Sequence, residues 1–330
     1  MHGRRAGRVE RTAMLAGVLV STGSAVAQKA EPEQPRDPGG VVVAPPLHER
    51  PVMEPSGEFK TADELLRALE SADADLVTLT ATVVHDTESA FEGDRQTRIG
   101  TLKFRTDPRE GKRPLRRFAV EFTRLHIGPR LEEEPKSFVF DGEWLAEFMP
   151  NAKLCLRRQV VAPGEDFDPL RIGEGPLPIP IGQPRGDILA RFDVELVPPA
   201  SGIMPEKPED LPDEDRERLA RVLKFASRDG MHQLRLTPRP DADENAGFAE
   251  IRLWYKRGLS GRLLPEMVRA VKAADDGDEG DMTTVQLLDV KINDGAGVGP
   301  EAFDTAIPEG WNGQAEAWRE PVGGRGPKKK

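Results

Sequence analysis

The side chains best suited to metal or nucleophile chemistry are few and scattered. The five histidines are His2, His48, His85, His126 and His232. No two of them stand four residues apart, the spacing that sets a pair of imidazoles on one helix face for a metal. Cys155 is the sole cysteine, which rules out an intrachain disulfide and a cysteine-based zinc site. It lies between Leu154 and Leu156, and strand alternation turns it outward, opposite the two leucines. There it reads as a bystander in preference to a reactive thiol. Asp241-Ala242-Asp243-Glu244-Asn245 opens like a calcium loop. Its sixth position is Ala246 where glycine is needed and its twelfth is Arg252 where glutamate is needed, so it reads as a solvated turn. There is no G-x-S-x-G elbow, no Walker loop, and no G-x-G-x-x-G between a strand and a helix. No cofactor and no metal is expected, and the residues make no case for an enzyme.

The 330 residues carry 47 Lys+Arg against 57 Asp+Glu, a formal net charge of −10. That sign opposes binding to nucleic-acid phosphates. Only 37% of residues are hydrophobic, but they concentrate in the middle of the chain, which fits a folded core between polar ends. Residues 1–27 read as a signal peptide. Arg4, Arg5, Arg8 and Arg11 precede the apolar run Ala13 to Val20, and Ala25-Val26-Ala27 forms an A-x-A site before Gln28. The run is about half the ~20 residues of a spanning helix. Cleavage after Ala27 and export to the periplasm are therefore expected, and no later segment is apolar enough to span a membrane.

Residues 28–58 are rich in Pro and Glu and read as a flexible leader. Thr61 to Leu76 reads as a helix. Thr61 and Glu64 make a capping box, and Leu65, Leu66, Leu69 and Ala72 form its apolar stripe. The period then changes to two. Six strands are expected at 76–84, 100–105, 118–123, 137–140, 143–148 and 153–157, with Asp141-Gly142 and Pro150-Asn151 as turns. Gly175 to Gly182 is apolar but too proline-rich for a regular element. A short helix near 187–192, an insertion at about 198–227 with an amphipathic helix, and five more strands follow, at 193–197, 233–238, 249–255, 263–271 and 283–292. Residues 312–330 end in Lys328-Lys329-Lys330 and read as a disordered, basic-ended tail. The pattern predicts one mainly β (α+β) domain over 59–311, an antiparallel meander of about eleven strands packing its concave face on helices.

Five motifs in order carry a resemblance. They are the helix 61–76 with its Thr-rich strand; Gly100-Thr101-Leu102-Lys103-Phe104-Arg105 leading to Arg113-Pro114 and Phe118; the hairpin Asp141-Gly142-Glu143-Trp144-Leu145-Ala146-Glu147-Phe148-Met149-Pro150; Leu234-Arg235-Leu236-Thr237-Pro238 with Ile251-Arg252-Leu253-Trp254; and Val290-Lys291-Ile292-Asn293 ahead of Phe303 and Ile307-Pro308-Glu309-Gly310. Together they resemble the LolA-like periplasmic lipoprotein carrier and sorting family, as a divergent member. The resemblance implies a half-open antiparallel β-barrel covered by helices, a concave face that receives acyl chains, and an arginine that holds the lid. Arg105 and Arg113 are the two candidates for that arginine. It also implies a lipidated protein or other apolar ligand as partner, with inner- and outer-membrane sorting partners. The long leader, the acidic insertion and the basic tail depart from the simple carrier.

Alternation turns Leu102, Phe104, Phe118, Val120, Phe122, Phe138, Phe140, Leu154, Leu156, Leu234, Leu236, Ile251 and Leu253 inward. Lys103, Arg117, Glu121, Arg157, Arg235, Glu250 and Arg252 then face water. Each buried CH₂ is worth ~0.8 kcal/mol, so such a face could hold an acyl chain. Leu65, Leu66 and Leu69, with Leu177, Ile179 and Ile181, are the expected lid. Three functions stay open: a monomeric carrier or sensor of apolar ligands, a structural or protein-interaction module whose barrel is permanently filled, and an envelope hydrolase.

Overall fold

The computed structural model describes residues 58–318 apart from 73–74, 91–93, 112–113, 129, 163–171, 173–180, 182–183, 206, 241, 243–246, 259–260, 274–278 and 296. All belong to the larger of two compact units, Val52–Lys330; the smaller, Met1–Pro51, lies outside the described residues. The expected signal peptide, the leader up to residue 57, Leu177, Ile179, Arg113, most of the calcium-like turn and residues 319–330 also lie outside them.

The capped amphipathic segment forms α1 (Ala62–Ala72). The β-branched and aromatic alternation forms β1 (Thr78–Glu88), β2 (Arg95–Asp107), β3 (Leu115–Ile127), β4 (Arg130–Glu132), β5 (Lys136–Phe140), β6 (Trp144–Met149) and β7 (Leu154–Gln159). After β7 come α2 (Arg185–Arg191), β8 (Phe192–Val197), α3 (Asp213–Ala226), β9 (Met231–Pro238), β10 (Phe248–Arg257), β11 (Leu263–Ala273), β12 (Glu279–Ile292) and β13 (Asn312–Glu316). These thirteen strands join one sheet in the order β13-β7-β6-β5-β3-β2-β1-β12-β11-β10-β9-β8, with β4 paired to β3. The two end strands, β13 and β8, do not pair with each other, so the sheet is open. It consists of two antiparallel meanders, β1–β7 and β8–β12, joined edge to edge where β1 pairs β12.

That joint is pinned by Asn293. Its Oδ1 accepts from the Val77 and Thr78 amides at 2.9 and 3.0 Å, and its Nδ2 donates to the Asp75 carbonyl at 3.0 Å. The residue adopts φ 55°, a left-handed conformation that asparagine tolerates better than most residues. Within the first meander, Gly100 meets the backbone of β3 so closely that a Cβ there would stand 2.2 Å from the Glu121 carbonyl oxygen. Only glycine permits that approach, beside the bulge between Ile99 and Gly100.

Eleven of the strands are those expected from the sequence; β4 and β13 are additional. β13 also corrects the boundary of the tail, because residues 312–316 pair in parallel with β7, from Asn312 opposite Leu154 to Glu316 opposite Arg158. The Asn312 amide starts the pairing by donating to the Lys153 carbonyl at 2.8 Å. The segment Asn-Gly-Gln-Ala-Glu holds no β-branched or aromatic residue, so backbone pairing alone makes it a strand. The first helix, α1, is shorter than the expected 61–76, and Leu76 instead packs into the core ahead of β1. The Thr61 half of its cap forms as read, with Oγ1 accepting from the Glu64 amide at 3.2 Å, while Glu64 Oε2 accepts at 2.8 Å from the amide of Lys60, one residue ahead of the cap.

Two parts of the outer face are covered as well, which the sequence reading did not anticipate. Trp254 and Met267 pack with Leu223 and Ala226 of α3 and with Ile203. The loop ahead of α3 is tied down by Trp254 Nε1 to the Pro199 carbonyl (2.8 Å), Arg252 Nη1 to Ser201 (3.2 Å) and Arg269 Nη1 to Gly202 (2.7 Å). Val298 and Phe303 cover Ala119 and Val139. Cys155 is on this outer face by parity, yet it is buried, and burial raises its pKa. The charged outer residues pair among themselves, as in Lys103–Glu121 at 2.8 Å and Arg235–Glu250 at 2.6 Å.

Candidate functional site: the inner face of the sheet

Register assembles the apolar face from both meanders. Leu79, Phe104, Phe118 and Phe140 form one cross-strand row, and Ala81, Leu102, Val120 and Phe138 form the next. In the second meander, Leu236, Ile251 and Ala270 stand in one row and Leu234, Leu253 and Val268 in another. Val268 then faces Val285, which faces His85, so the two halves share one face.

Leu102, Phe104, Phe118, Val120, Phe122 and Phe140 are buried in the first cluster, with Phe138 half-buried against it. Phe118 and Phe140 stack at 5.7 Å, and Phe122 meets Phe138 edge-on at 6.5 Å. Aromatic pairs of this kind add about 1 kcal/mol each beyond their buried area. Leu234, Leu236, Ile251 and Leu253 are buried in the second cluster. Leu154 and Leu156 share the face by parity but are only half-buried, next to Glu147 of β6.

Among the described residues, two pieces of chain cover this face. α1 places Leu65 and Leu66, both buried, and Leu69, half-buried, against the second cluster. The stretch between β7 and α2 contributes Val161 and Ile181 to the first cluster and Ile172 to the second, where Ile188 of α2 joins it. Ile181 therefore packs on the inner face; Val161, Ile172 and Ile188 were not anticipated.

Among the described residues, arginines other than Arg105 donate to the cover; Arg113, the other candidate, lies outside the described residues. Arg105 neighbours Phe104 in β2, so it emerges on the opposite face, where it binds Asp107 at 2.7 Å and the Val298 carbonyl at 3.3 Å. Its candidacy as lid holder is corrected by that parity. Arg116, which has the parity of Phe118, donates to the Ile181 carbonyl at 3.3 Å. Arg191 Nη1 donates to the Ile172 carbonyl at 2.7 Å, and Arg185 of α2 pairs with Asp63 of α1. Alternation alone would have pointed to Arg116; no local signal pointed to Arg185 or Arg191.

One end of the face is polar. His85 stands opposite Arg98, and Phe122 stands opposite Lys136. The His85 ring lies 5.8 Å from that of Phe122, and Lys136 Nζ lies 5.1 Å from the Phe138 centroid while pairing with Glu147 at 2.6 Å. Burial holds the His85 imidazole down at about 4; Asp86 opposes the shift, and the Arg98 and Lys136 charges add to it. On the outer face, an open polar cavity of about 540 Å³ lies between Arg117, Asp141 and Phe303. Among the described residues, no group of three or more His, Cys, Asp or Glu side chains could hold a metal, and no helix is long and apolar enough to cross a membrane.

No family model matches the chain, and no curated protein matches it. Solved structures resemble it at a distance. An uncharacterized conserved protein from Thermus thermophilus is 13% identical, with a TM-score of 0.35 over 77% of this chain and 99% of its own. A DUF1329 family protein from Desulfovibrio piger is 12% identical, at 0.32 over 73% and 97%. A LolA superfamily protein from Nitrosomonas europaea is 14% identical, at 0.33 over 74% and 98%. At such scores the account of the fold rests on the strand pairing itself.

Proposed function

We propose that this is an exported, non-enzymatic binding protein that holds acyl chains or another apolar ligand against the inner face of its open sheet. The observation that carries the reading is the nature of the cover. Among the described residues, a face built from both meanders is capped by the eleven-residue α1, by Ile188 of α2, and by Val161, Ile172 and Ile181, with arginines donating to the Ile172 and Ile181 carbonyls. An isolated helix of that length is marginal in water, so α1 is held by its packing on the sheet; the reading requires that the cover leave without the sheet unfolding. A departing α1 exposes Leu234, Leu236, Ile251 and Leu253, a surface that hydrocarbon can take in its place. The signal-peptide pattern supports residence in the periplasm. The LolA-like motifs support a lipidated protein as the ligand's source, with sorting partners in the two membranes.

The test is native mass spectrometry of protein purified from a cell envelope, followed by titration with a fluorescent fatty acid. Bound acyl species and saturable uptake are expected. A clean apo mass together with no uptake would overturn the reading. A second reading, a filled structural or protein-interaction module, draws on the near-complete burial of Leu65, Val83, Val120 and Ile251. It predicts that no part of the cover opens short of global unfolding.

A further inference from the structure

The polar end of the inner face has a composition that hydrocarbon alone does not require. Along the row Leu234, Leu253, Val268, Val285, the next two positions are His85 and Arg98. In the neighbouring rows, Lys136 faces Phe122 and Glu147 faces Phe138. Arg98 donates through Nη2 to Glu134 at 3.0 Å, whereas its Nη1 is buried and has no hydrogen-bond partner among the described residues. A buried guanidinium donor left without an acceptor is costly, and an incoming oxygen recovers that cost. Glu134 is 45% exposed and can turn to water without leaving the site strained. Lys136 stands on the other side of Phe122, with Glu147 as its partner.

We propose that Arg98, Lys136 and His85 form a subsite for the anionic oxygen group, carboxylate or phosphate, of an amphiphile whose chain lies along the Phe122–Phe138 side of the inner face. This rests on the apolar-ligand reading and adds to it a head-group class. Arg98 Nη1 supplies the open donor. Lys136 supplies a second cation that can exchange Glu147 for the ligand. The His85 ring, neutral at pH 7, lines the junction between apolar chain and polar head.

The test is competition against a fluorescent fatty acid with three sixteen-carbon probes below their micelle concentrations: palmitate, hexadecyl phosphate and hexadecanol. The anions should bind about tenfold or more tightly than the alcohol, the scale of one charge-assisted hydrogen bond. The tighter of the two anions identifies the head group. Arg98→Met should erase that preference while leaving hexadecanol unchanged, and Arg98→Lys should keep part of it. Should Arg98→Met not fold, as judged by circular dichroism, Lys136→Met reads the same preference. Equal affinity for all three probes, or a preference that survives Arg98→Met or its Lys136→Met substitute, would overturn the subsite and leave the apolar-ligand reading standing. Failure of every probe to bind would overturn both.

Discussion

Replacing Leu66 by alanine distinguishes a movable cover from a permanent filling. Leu66 is buried at 2% exposure and packs with Leu65, Ile251 and Leu253 in the second cluster. Truncating such a leucine costs about 2–5 kcal/mol, from the lost transfer energy and the cavity left behind. Leu65 is buried as fully as Leu66 and remains in the variant, whereas the polar tie of α1 is weak. The Arg185–Asp63 pair is about one-third exposed on each side, which limits it to roughly 0–1 kcal/mol. If α1 opens by itself, a loss of about 3 kcal/mol raises its open population by roughly 150-fold. Native-state hydrogen exchange monitored by mass spectrometry reads this directly. Amides in α1 should exchange about two orders of magnitude faster, while those of β9, β10 and β11 keep their rates. A ligand that takes the place of α1 should also bind more tightly, since its apparent affinity scales with the open fraction. If the amides of β9–β11 accelerate by the same factor as those of α1, the helix belongs to the cooperative core, and the reasoning behind a lid is refuted.

Two further outcomes follow from the site and its supports. Asn293→Ala should destabilise the protein by about 2–3 kcal/mol, through loss of its side-chain hydrogen bonds and the cost of alanine at φ 55°; Asn293→Gly should cost less, and a denaturation midpoint for Asn293→Ala equal to that of the parent would contradict this. His85 is held near 4 in the folded protein against 6.5 for the free side chain, so between those values the unfolded chain binds more protons. Its contribution is complete above pH 6.5 and fades as pH falls through 4, amounting to about 3 kcal/mol if fully realised and roughly 1–2 kcal/mol for a half-buried ring. Urea denaturation of His85→Gln should therefore show a shallower loss of stability between pH 7 and pH 4 than the parent, and parallel curves would refute it.

Side-chain parity was legible in the sequence because a strand has a period of two whatever it pairs with. That is why Phe104, Phe118 and Val120 could be placed together before any coordinates, and why the same rule, applied to Arg105 and Arg116, sorts them onto opposite faces. The capping box of α1 was equally legible, being a contact between residues three or four apart. Cys155 marks the limit. Its parity was right, but its burial depends on the covered outer face, and nothing local announces which distant segments lie over a strand.

What the sequence by itself determined is therefore the face each strand residue serves, the turns between neighbouring strands, and the acidic balance of the chain. Tertiary structure alone decided that β1 joins β12, that Asn293 locks that joint, that Asn312–Glu316 adds a parallel strand, and that Arg185 and Arg191 hold the cover. The physical reason is range. Alternation and caps are set by backbone geometry within a few residues, whereas these contacts bridge separations of more than 200 residues in the case of Asn293, and their partners are chosen only when the whole sheet assembles.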